Sequence, residues 1–588
     1  MKNSNRKIIT KLMLKLLPIQ ILLAGIGAIN GIVSSLFASN FIGQDAMSAV
    51  GLYSPVNMFI SAVSTMLVGG ATIICGRYIG QNELDKTRRV FSLDIAISLL
   101  VAVLFTVIML AIGVFDLSFI FTKDTALQQI LNVYLIGQAI GILPLILGNQ
   151  LSAFLSLENR TRLTMIASIV YILANLALDY IFIQKLAMGA LGLALASSIG
   201  LWIFFIIQAT YFFTKKATFR FALGDVAWNE SGEVVKIGIP GAASYGYQSL
   251  RGVIVNSLIL KYVGSVGISA FTAANSLMGL FWAVPGGMLA VSRMMISISV
   301  GEEDRQTLAD VMRVMMYCFI PLMSVICLGI ILMAHPFTRL YYRDMSDAVY
   351  MLTVWGFRIL PICMPLSIIY MHFSCYGQAS NKNILVHVLA LLDGVVCVAG
   401  FTALLISFLG MNSVYIANVL NGVVTTIVIV GYAIIKNKRI PRNMEELMVI
   451  PEDFGVGEED RIDISVNSIE EVMDVSRKVQ DFCLEKGIDN KRSYYAGLCM
   501  EEMAGNIVDH GFTKDNKKHS IDIRVVYKDD DVILRIKDDC VHFDPAERAG
   551  IIDPDDMTRN IGIRLVYKLA KDVNYQNILG LNVLTMRI

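Results

Sequence analysis

Charged residues are scarce in this chain. They make up 16% of its 588 residues, whereas 55% are hydrophobic, and the mean hydropathy is +0.62. A soluble fold of this composition would lack enough polar surface to cover itself, so most of the chain is predicted to lie in a membrane. The net charge of +1 gives no electrostatic reason to expect nucleic acid as a partner.

Two kinds of motif are also missing. The nine cysteines lie far apart and form no CxxC pair, which argues against a disulfide framework and a zinc site. No GxxxxGK[ST] loop occurs anywhere. Without that phosphate-binding loop, an ATP-hydrolysing transport motor is not supported.

Long apolar runs are abundant. A bilayer core of about 30 Å takes about 20 helical residues, and runs of that length recur often enough to predict twelve membrane helices. We place them at 16–38, 50–73, 91–114, 127–154, 163–184, 188–213, 236–260, 268–298, 312–334, 351–375, 384–409 and 412–435.

The basic residues predict an orientation. With twelve helices, most connections rich in Lys and Arg fall on one side, together with the N-terminus and the basic segment after the last helix. That side is expected to be cytoplasmic. We therefore predict a multi-pass plasma-membrane protein with both termini in the cytoplasm.

The membrane part repeats itself at an offset of 221 residues. Gly80-Gln81-Asn82-Glu83 is matched by Gly301-Glu302-Glu303-Asp304, and Ile42-Gly43 is matched by Val263-Gly264. Six helices per half give both halves the same orientation, so the repeats are predicted to be parallel, with a cavity between them. The expected domains are residues 1–220 and 221–440 for the two halves and 441–588 for a tail.

The fifth predicted helix carries a polar face. Asn175 and Asp179 are four residues apart and so lie on one side of a helix that is otherwise mostly apolar. A carboxyl group within a membrane normally faces a cavity or a partner. The pair could hold a proton or a small cation, or Asp179 could lie near the outer interface and simply be hydrated.

Several motifs resemble the multidrug and toxic compound extrusion (MATE) transporters. They are Ala38-Ser39-Asn40-Phe41-Ile42-Gly43, Gly76-Arg77-Tyr78-Ile79-Gly80, Leu157-Glu158-Asn159-Arg160 and the Asn175/Asp179 pair. Ser197 stands where that family often has threonine, and it would complete the Asn175/Asp179 cluster. The resemblance covers about residues 10–436. It implies a bacterial secondary transporter that exports drugs or other amphipathic or cationic small molecules in exchange for Na⁺ or H⁺.

The chain departs from that family at other coupling positions. Many members carry an acidic residue in the first helix, where this chain has Asn30, or a glutamate in the seventh, near Gln248. Either the Asp179 cluster couples transport alone or other groups take part. The remaining ionisable groups in or near the helices, for which a structural role is the simpler hypothesis, are Asp94, Arg251, Arg293, Arg358, His387 and Asp393.

The tail has the pattern of an α+β sandwich. Apolar spacing predicts helices within 469–486 and 494–509, and alternation predicts strands within 520–527, 531–537 and 581–588. Helices followed by a sheet indicate a two-layer domain.

Three tail segments resemble the histidine-kinase-like (GHKL) ATPases, in the version found in anti-sigma-factor serine kinases. They are residues 501–511, Asp538-Asp539-Cys540-Val541-His542-Phe543-Asp544-Pro545 and Asn560-Ile561-Gly562. The resemblance implies that Glu502 is a general base, that Asn506 binds Mg²⁺, and that Asp538 accepts the adenine amino group. Asp544 and Gly562 would complete an ATP site.

Two glycines of that site are missing. Cys540 and Asn560 stand where the family has glycine, and glycine there lets backbone N–H groups approach phosphate closely. Weak nucleotide binding or an altered lid is therefore expected.

Two functions of different class follow. In the first, the membrane body exports small molecules and the tail regulates it. In the second, the body is a membrane-anchored sensor, and the tail is a serine kinase or a binding partner for a cytosolic protein of the anti-sigma-antagonist type. A flippase for lipid-linked sugars is a third alternative, against which the modest Lys and Arg content of the helices argues weakly.

Overall fold

The computed structural model describes residues 9–25, 44–121, 125–214, 217–457, 459–466, 469–512, 519, 521–541, 543–546, 561–578 and 581–588. The first half of the membrane body is all helical, since aliphatic residues with good helix propensity dominate it. Its helices are α1 (9–25), α2 (Gln44–Gly80), α3 (Leu84–Val114), α4 (Thr125–Leu157), α5 (Thr161–Asp179) and α6 (Gly189–Phe212). A π-helical turn, Tyr180–Lys185, extends α5.

The second half follows the same plan with more interruptions. Two π-helical turns, Met315–Phe319 and Leu392–Val396, continue one helix into the next. Its helices are α7 (Ser231–Tyr262), α8 (Ser265–Phe281), α9 (Ala283–Gly301), α10 (Arg305–Val314), α11 (Ile320–Leu332), α12 (Ala334–Arg339), α13 (Ala348–Ile359), α14 (Cys363–Ala379), α15 (Asn383–Leu391), α16 (Cys397–Leu409) and α17 (Asn412–Asn437).

The all-helical membrane architecture is confirmed, although the count of twelve is not. Within the described ranges, ten helical segments are long and apolar enough to cross a membrane. The predicted first helix lies partly outside the described residues. The predicted seventh forms as α7, but its polar and glycine-rich sequence keeps it out of those ten.

The duplication is visible in the helix boundaries. Helix α2 begins at Gln44 and α8 at Ser265, and α3 begins at Leu84 and α10 at Arg305, each pair 221 residues apart. Asn82 and Glu303, which share that offset, both adopt a left-handed backbone conformation, with φ of 63° and 50°. The two halves thus repeat the same turn between corresponding helices.

Helix α2 packs very closely against the second half. A Cβ atom at Gly70 would overlap the carbonyl of Val234 on α7, and one at Gly301 on α9 would overlap the backbone of Arg77. Arg77 also donates to the carbonyl of Gln378 on α14 at 3.1 Å. Glycine allows this approach, and together these contacts close the body at the end nearest the tail.

The tail is the predicted α+β sandwich. Five antiparallel strands, in the order β1-β2-β3-β5-β4, form one sheet. Three helices cover one face of it, where a compact core contains Val479, Met503 and Leu534. The strands are β1 (Arg461–Val466), β2 (Ile521–Lys528), β3 (Asp531–Asp538), β4 (Asp572–Ile578) and β5 (Leu581–Arg587), and the helices after the connecting α18 (Met444–Met448) are α19 (Ile469–Glu485), α20 (Asn490–Gly511) and α21 (Ile561–Leu569).

The other face of the sheet docks on the membrane body. Glu302, whose side chain is 4% exposed, pairs with Lys537 at 2.7 Å and with Arg535 at 3.6 Å. Asn574 donates to the carbonyl of Asn82 at 3.2 Å. The sheet therefore contacts the equivalent loop of both halves, residues 80–83 and 301–304.

The oppositely charged side chains at this contact stabilise one another. Although burial alone would raise the pKa of Glu302, the cations of Lys537 and Arg535 hold that pKa below its usual value. Arg524 pairs with Asp304 in the same cluster. The loop 301–304 is thus held by carboxylates that lie among the basic side chains of β2 and β3.

We expect Glu302→Lys to detach the tail, because it places a third cation beside two buried ones, at a cost of about 3 to 5 kcal/mol. Hydrogen–deuterium exchange of residues 301–304 and 531–538 should rise. The double variant Glu302→Lys/Lys537→Glu should recover most of the protection, and Glu459→Lys, at an exposed connector position, should change nothing. Unchanged exchange in the single variant would show that this cluster does not hold the tail.

Candidate functional site

A cavity of about 590 Å³ lies inside the membrane body. Its size falls within the range of about 300 to 1,000 Å³ that is usual for small-molecule sites. Both halves contribute to its wall, so it occupies the position predicted between the repeats. The lining residues are Gln20, Leu23, Ala24, Val68, Thr72, Leu145, Asn149, Ser152, Ala153, Ser156, Thr164, Ser168, Tyr171, Leu201, Phe204, Tyr245, Ala290, Arg293 and Met294.

A hydrogen-bonded polar wall runs along one side of this cavity. Gln20 on α1 donates to Ser156 on α4 at 3.2 Å, and Ser152 donates to Gln208 on α6 at 2.8 Å. Thr164 on α5 also points its hydroxyl to Gln208, at 3.4 Å. This wall was not predicted from the sequence, although hydroxyl residues spaced by four, such as Ser152 and Ser156, indicate a polar helix face.

The predicted coupling cluster lies on the same helix as part of that wall. Asn175 donates to Ser197 at 3.4 Å, so the structure brings these two predicted residues together. Asp179 lies one turn further along α5, where the π-helical turn begins, and both Asn175 and Asp179 are fully buried. None of the three lines the cavity, but Tyr171, one turn before Asn175, does.

Two further carboxyl groups are buried in the membrane body. Asp393, in the π-helical turn before α16, accepts a hydrogen bond from Asn421 at 2.8 Å. Asp94 on α3 is fully buried, and neither of its carboxyl oxygens has a hydrogen-bond partner among the described residues. Like Asp179, both stand outside the cavity wall.

The second predicted site lies in the tail. Asn506 on α20 and Asp538 at the end of β3 line one small cavity, together with Cys540. Asp538 accepts hydrogen bonds from Asn582 at 2.8 Å and from the backbone N–H of Cys540 at 2.9 Å. Burial raises the pKa of Asp538, and those hydrogen bonds partly offset the rise.

Glu502 contacts Gly562, and neither residue lines the small cavity. A Cβ atom at Gly562, in the first turn of α21, would overlap the Glu502 carboxylate. Asp544 accepts from the backbone N–H of Ala546 at 2.8 Å, a local turn contact. Of the predicted nucleotide-binding residues, Asn506 and Asp538 therefore lie together at the small cavity, and Glu502 lies against α21.

The polar groups of Asn506 and Asp538 are chemically suited to a magnesium-bound nucleotide. The side-chain amide of Asn506 donates to the carbonyl of Glu502 at 2.7 Å, which leaves its oxygen for a cation. The cavity, however, has only about 30 Å³ of free volume, about enough for a water molecule. An adenine ring would enter only after the side chains that line the cavity had moved.

Comparison with protein families identifies two domains. A MatE domain matches residues 26–181, and a histidine kinase-like ATPase domain matches residues 466–588. The chain thus contains a MatE domain followed by a histidine kinase-like ATPase domain.

Curated proteins similar to this chain include two that are described as probable multidrug resistance protein NorM. The protein of Bacillus subtilis (strain 168) is 26% identical over 313 residues, which is 51% of this chain and 66% of that protein. The protein of Bacillus licheniformis is 32% identical over 182 residues, which is 29% of this chain and 38% of that protein. The chain spans less than two thirds of either relative.

Solved structures share the fold of the membrane body. An outward-facing multidrug resistance MATE family transporter of the MOP superfamily superposes with a TM-score of 0.67 at 21% identity, covering 71% of this chain and 94% of that one. MATE in the bent conformation gives 0.65 at 22% identity, covering 72% and 96%.

We expect Gly562→Ala to push α21 away from α20, because its methyl group would overlap the Glu502 carboxylate, and such overpacking costs about 1 to 3 kcal/mol. Hydrogen–deuterium exchange of residues 561–569 should increase. In Glu502→Ala/Gly562→Ala the methyl group has room, so exchange should return to that of Glu502→Ala. Equal exchange in the parent and in Gly562→Ala would contradict the contact.

Proposed function

We propose that this chain is an ion-coupled secondary transporter that exports amphipathic small molecules across a bacterial plasma membrane, and that its tail is a cytoplasmic regulator. Residues 1–220 and 221–440 form the two transport halves, and residues 441–588 form the regulator. The observation that carries the proposal is the 590 Å³ cavity between duplicated halves that pack tightly at the tail side.

Coupling is assigned to Asn175, Asp179 and Ser197. A carboxyl group in the membrane costs about 2.5 to 3.5 kcal/mol on insertion scales, so Asp179 holds a proton or a cation rather than a bare charge. Na⁺ and H⁺ both fit, since Asn175 lies one turn from Asp179 and contacts the Ser197 hydroxyl, so an amide oxygen and a hydroxyl oxygen accompany the carboxyl group in this cluster. Tyr171 connects this cluster to the cavity wall along one face of α5.

Alternating access follows from the packing at the two ends of the body. The contacts of α2 with α7 and α9 close the tail side, which is predicted to be cytoplasmic from the basic connections. Opening toward the cytoplasm requires Gly301 and Arg77 to separate. The loops 80–83 and 301–304 would then move apart.

The tail is positioned to control that movement. Its sheet contacts both loops, through Asn574 on one side and through Lys537 and Arg535 on the other. A docked tail favours the state in which the loops are close together. Nucleotide binding would act by changing the sheet or its docking.

The nucleotide site is assigned to Asn506, Asp538 and the lid that includes Gly562. When bound, Mg²⁺-ATP would supply phosphate charge at the end of α20 near Asn506, while Asp538 would orient the base. Entry of the nucleotide opens the small cavity. That opening would be transmitted to β3, which carries both Asp538 and the docking residue Lys537.

A serine kinase is the second candidate function. Glu502 and Asn506 lie one turn apart on α20, the spacing of a base and a metal-binding amide. In that case a cytosolic protein of the anti-sigma-antagonist type would be phosphorylated, and Glu502→Gln would abolish the phosphorylation. Export independent of Glu502 would separate this activity from transport.

We expect Asp179→Asn to abolish ion-driven efflux, because an amide cannot exchange a proton or neutralise a cation. Taurocholate, an amphipathic anion, and ethidium, an amphipathic cation, are offered in turn in proteoliposomes under imposed Na⁺ and H⁺ gradients. Any flux that the parent shows for either probe should fall to the level of empty vesicles. Asp347→Asn, at an exposed position before α13, is the matched control and should keep full activity. Normal efflux by Asp179→Asn would remove this residue from coupling.

We expect Asp538→Asn to weaken Mg²⁺-ATP binding by about tenfold or more, since a hydrogen bond to a charged group is lost and its partner is buried. Isothermal titration of the full chain in detergent measures this effect. Asp531→Asn, at the other end of β3, should bind ATP like the parent. Equal ATP affinity in the parent and in Asp538→Asn would show that Asp538 does not bind the adenine.

A further inference from the structure

The central cavity carries an unbalanced positive charge. Arg293 on α9 is the one charged side chain among the lining residues that the structure describes. An arginine stays protonated in proteins. The cavity therefore presents a fixed cation to whatever enters it.

Among the residues that the structure describes, no carboxylate pairs with that cation. Arg293 forms no ion pair with a described residue, and its Nε atom is buried without a hydrogen-bond partner among them. Its polar neighbour is the thiol of Cys375 on α14, which is a weak acceptor. The buried carboxyl groups of Asp94, Asp179 and Asp393 all lie outside the lining set. The segment 26–43, which lies outside the described residues, contains no charged residue in the sequence.

The rest of the wall offers hydrogen-bond acceptors and apolar surface. The hydroxyl of Ser152 donates to Gln208 and that of Ser156 donates to the carbonyl of Ser152, so both hydroxyl protons are already used. A hydroxyl oxygen can accept two hydrogen bonds, and Ser156, which accepts one from Gln20, can accept one more. Thr72 donates within its own helix in the same way. Tyr171 and Phe204 supply aromatic surface nearby. Such a wall suits a ligand that is apolar in part and carries its own hydroxyl or amide donors.

From these features we propose that the transported substrates are amphipathic organic anions, with a carboxylate or sulfonate held by Arg293 and hydroxyl groups directed to the serine-rich wall. This inference rests on the proposed function and narrows it, since the sequence alone suggested drugs and cations. The guanidinium fork matches the two oxygens of a carboxylate. A cationic substrate would instead meet a like charge at Arg293.

Binding and transport of two radiolabelled or fluorescent probes test the proposal: taurocholate, an anion with several hydroxyl groups, and ethidium, an amphipathic cation. Equilibrium dialysis of the full chain in detergent should show taurocholate bound about tenfold or more tighter than ethidium. Arg293→Gln should weaken taurocholate binding by about tenfold or more, and Arg293→Lys should retain part of it. Arg251→Gln is the matched control, because Arg251 donates to the carbonyl of Asp393 and does not line the cavity.

The outcomes separate this inference from the transport function. Taurocholate binding that depends on Arg293, without ion-driven flux in proteoliposomes, would support the substrate class and contradict transport. Ethidium flux that is unaffected by Arg293→Gln, without taurocholate binding, would support transport and overturn the substrate class. Complete displacement of taurocholate by chloride would make Arg293 a site for the inorganic anion and would also overturn the proposal.

Discussion

The close packing of α2 against α7 and α9 is the constraint on which the rest of the structure depends. Glycines at positions 70 and 301 let these helices approach so closely that a single methyl group would not fit. The contact of Gly301 with Arg77 lies at the tail end of α2, and the cavity lies between the halves further along the same helix, beside Val68 and Thr72. The same contact brings the loops 80–83 and 301–304 together, and so it creates the platform on which the tail docks.

The two loops have diverged in a way that explains the docking. Both follow the same left-handed turn, but Gln81 and Asn82 of the first correspond to Glu302 and Glu303 of the second. The first loop offers the tail a backbone carbonyl, whereas the second offers carboxylates to the basic face of the sheet. A duplicated turn has thus become an asymmetric contact that links the tail to both halves.

Local patterns predicted much of this structure. Apolar runs and the period of two in the tail strands depend on near neighbours, and the 221-residue offset is read by comparing two stretches of sequence directly. The structure contains the corresponding elements. The approach of Asn175 to Ser197 followed from the resemblance to a known family. The contacts of Gly70, the position of Glu502 against Gly562 and the lining of the cavity by Arg293 join residues far apart in sequence, so no local period signals them. The glycine at 562 was expected to approach a phosphate, but the structure uses its small size to admit a carboxylate.

In the proposed function an ion gradient drives export, and the tail only regulates it. The most direct measurement is substrate flux into proteoliposomes containing the full chain, with an imposed Na⁺ or H⁺ gradient and no nucleotide, compared with Mg²⁺-ATP and no gradient. We expect flux under the gradient alone and none with ATP alone. Flux that requires ATP and proceeds without a gradient would contradict ion-driven export.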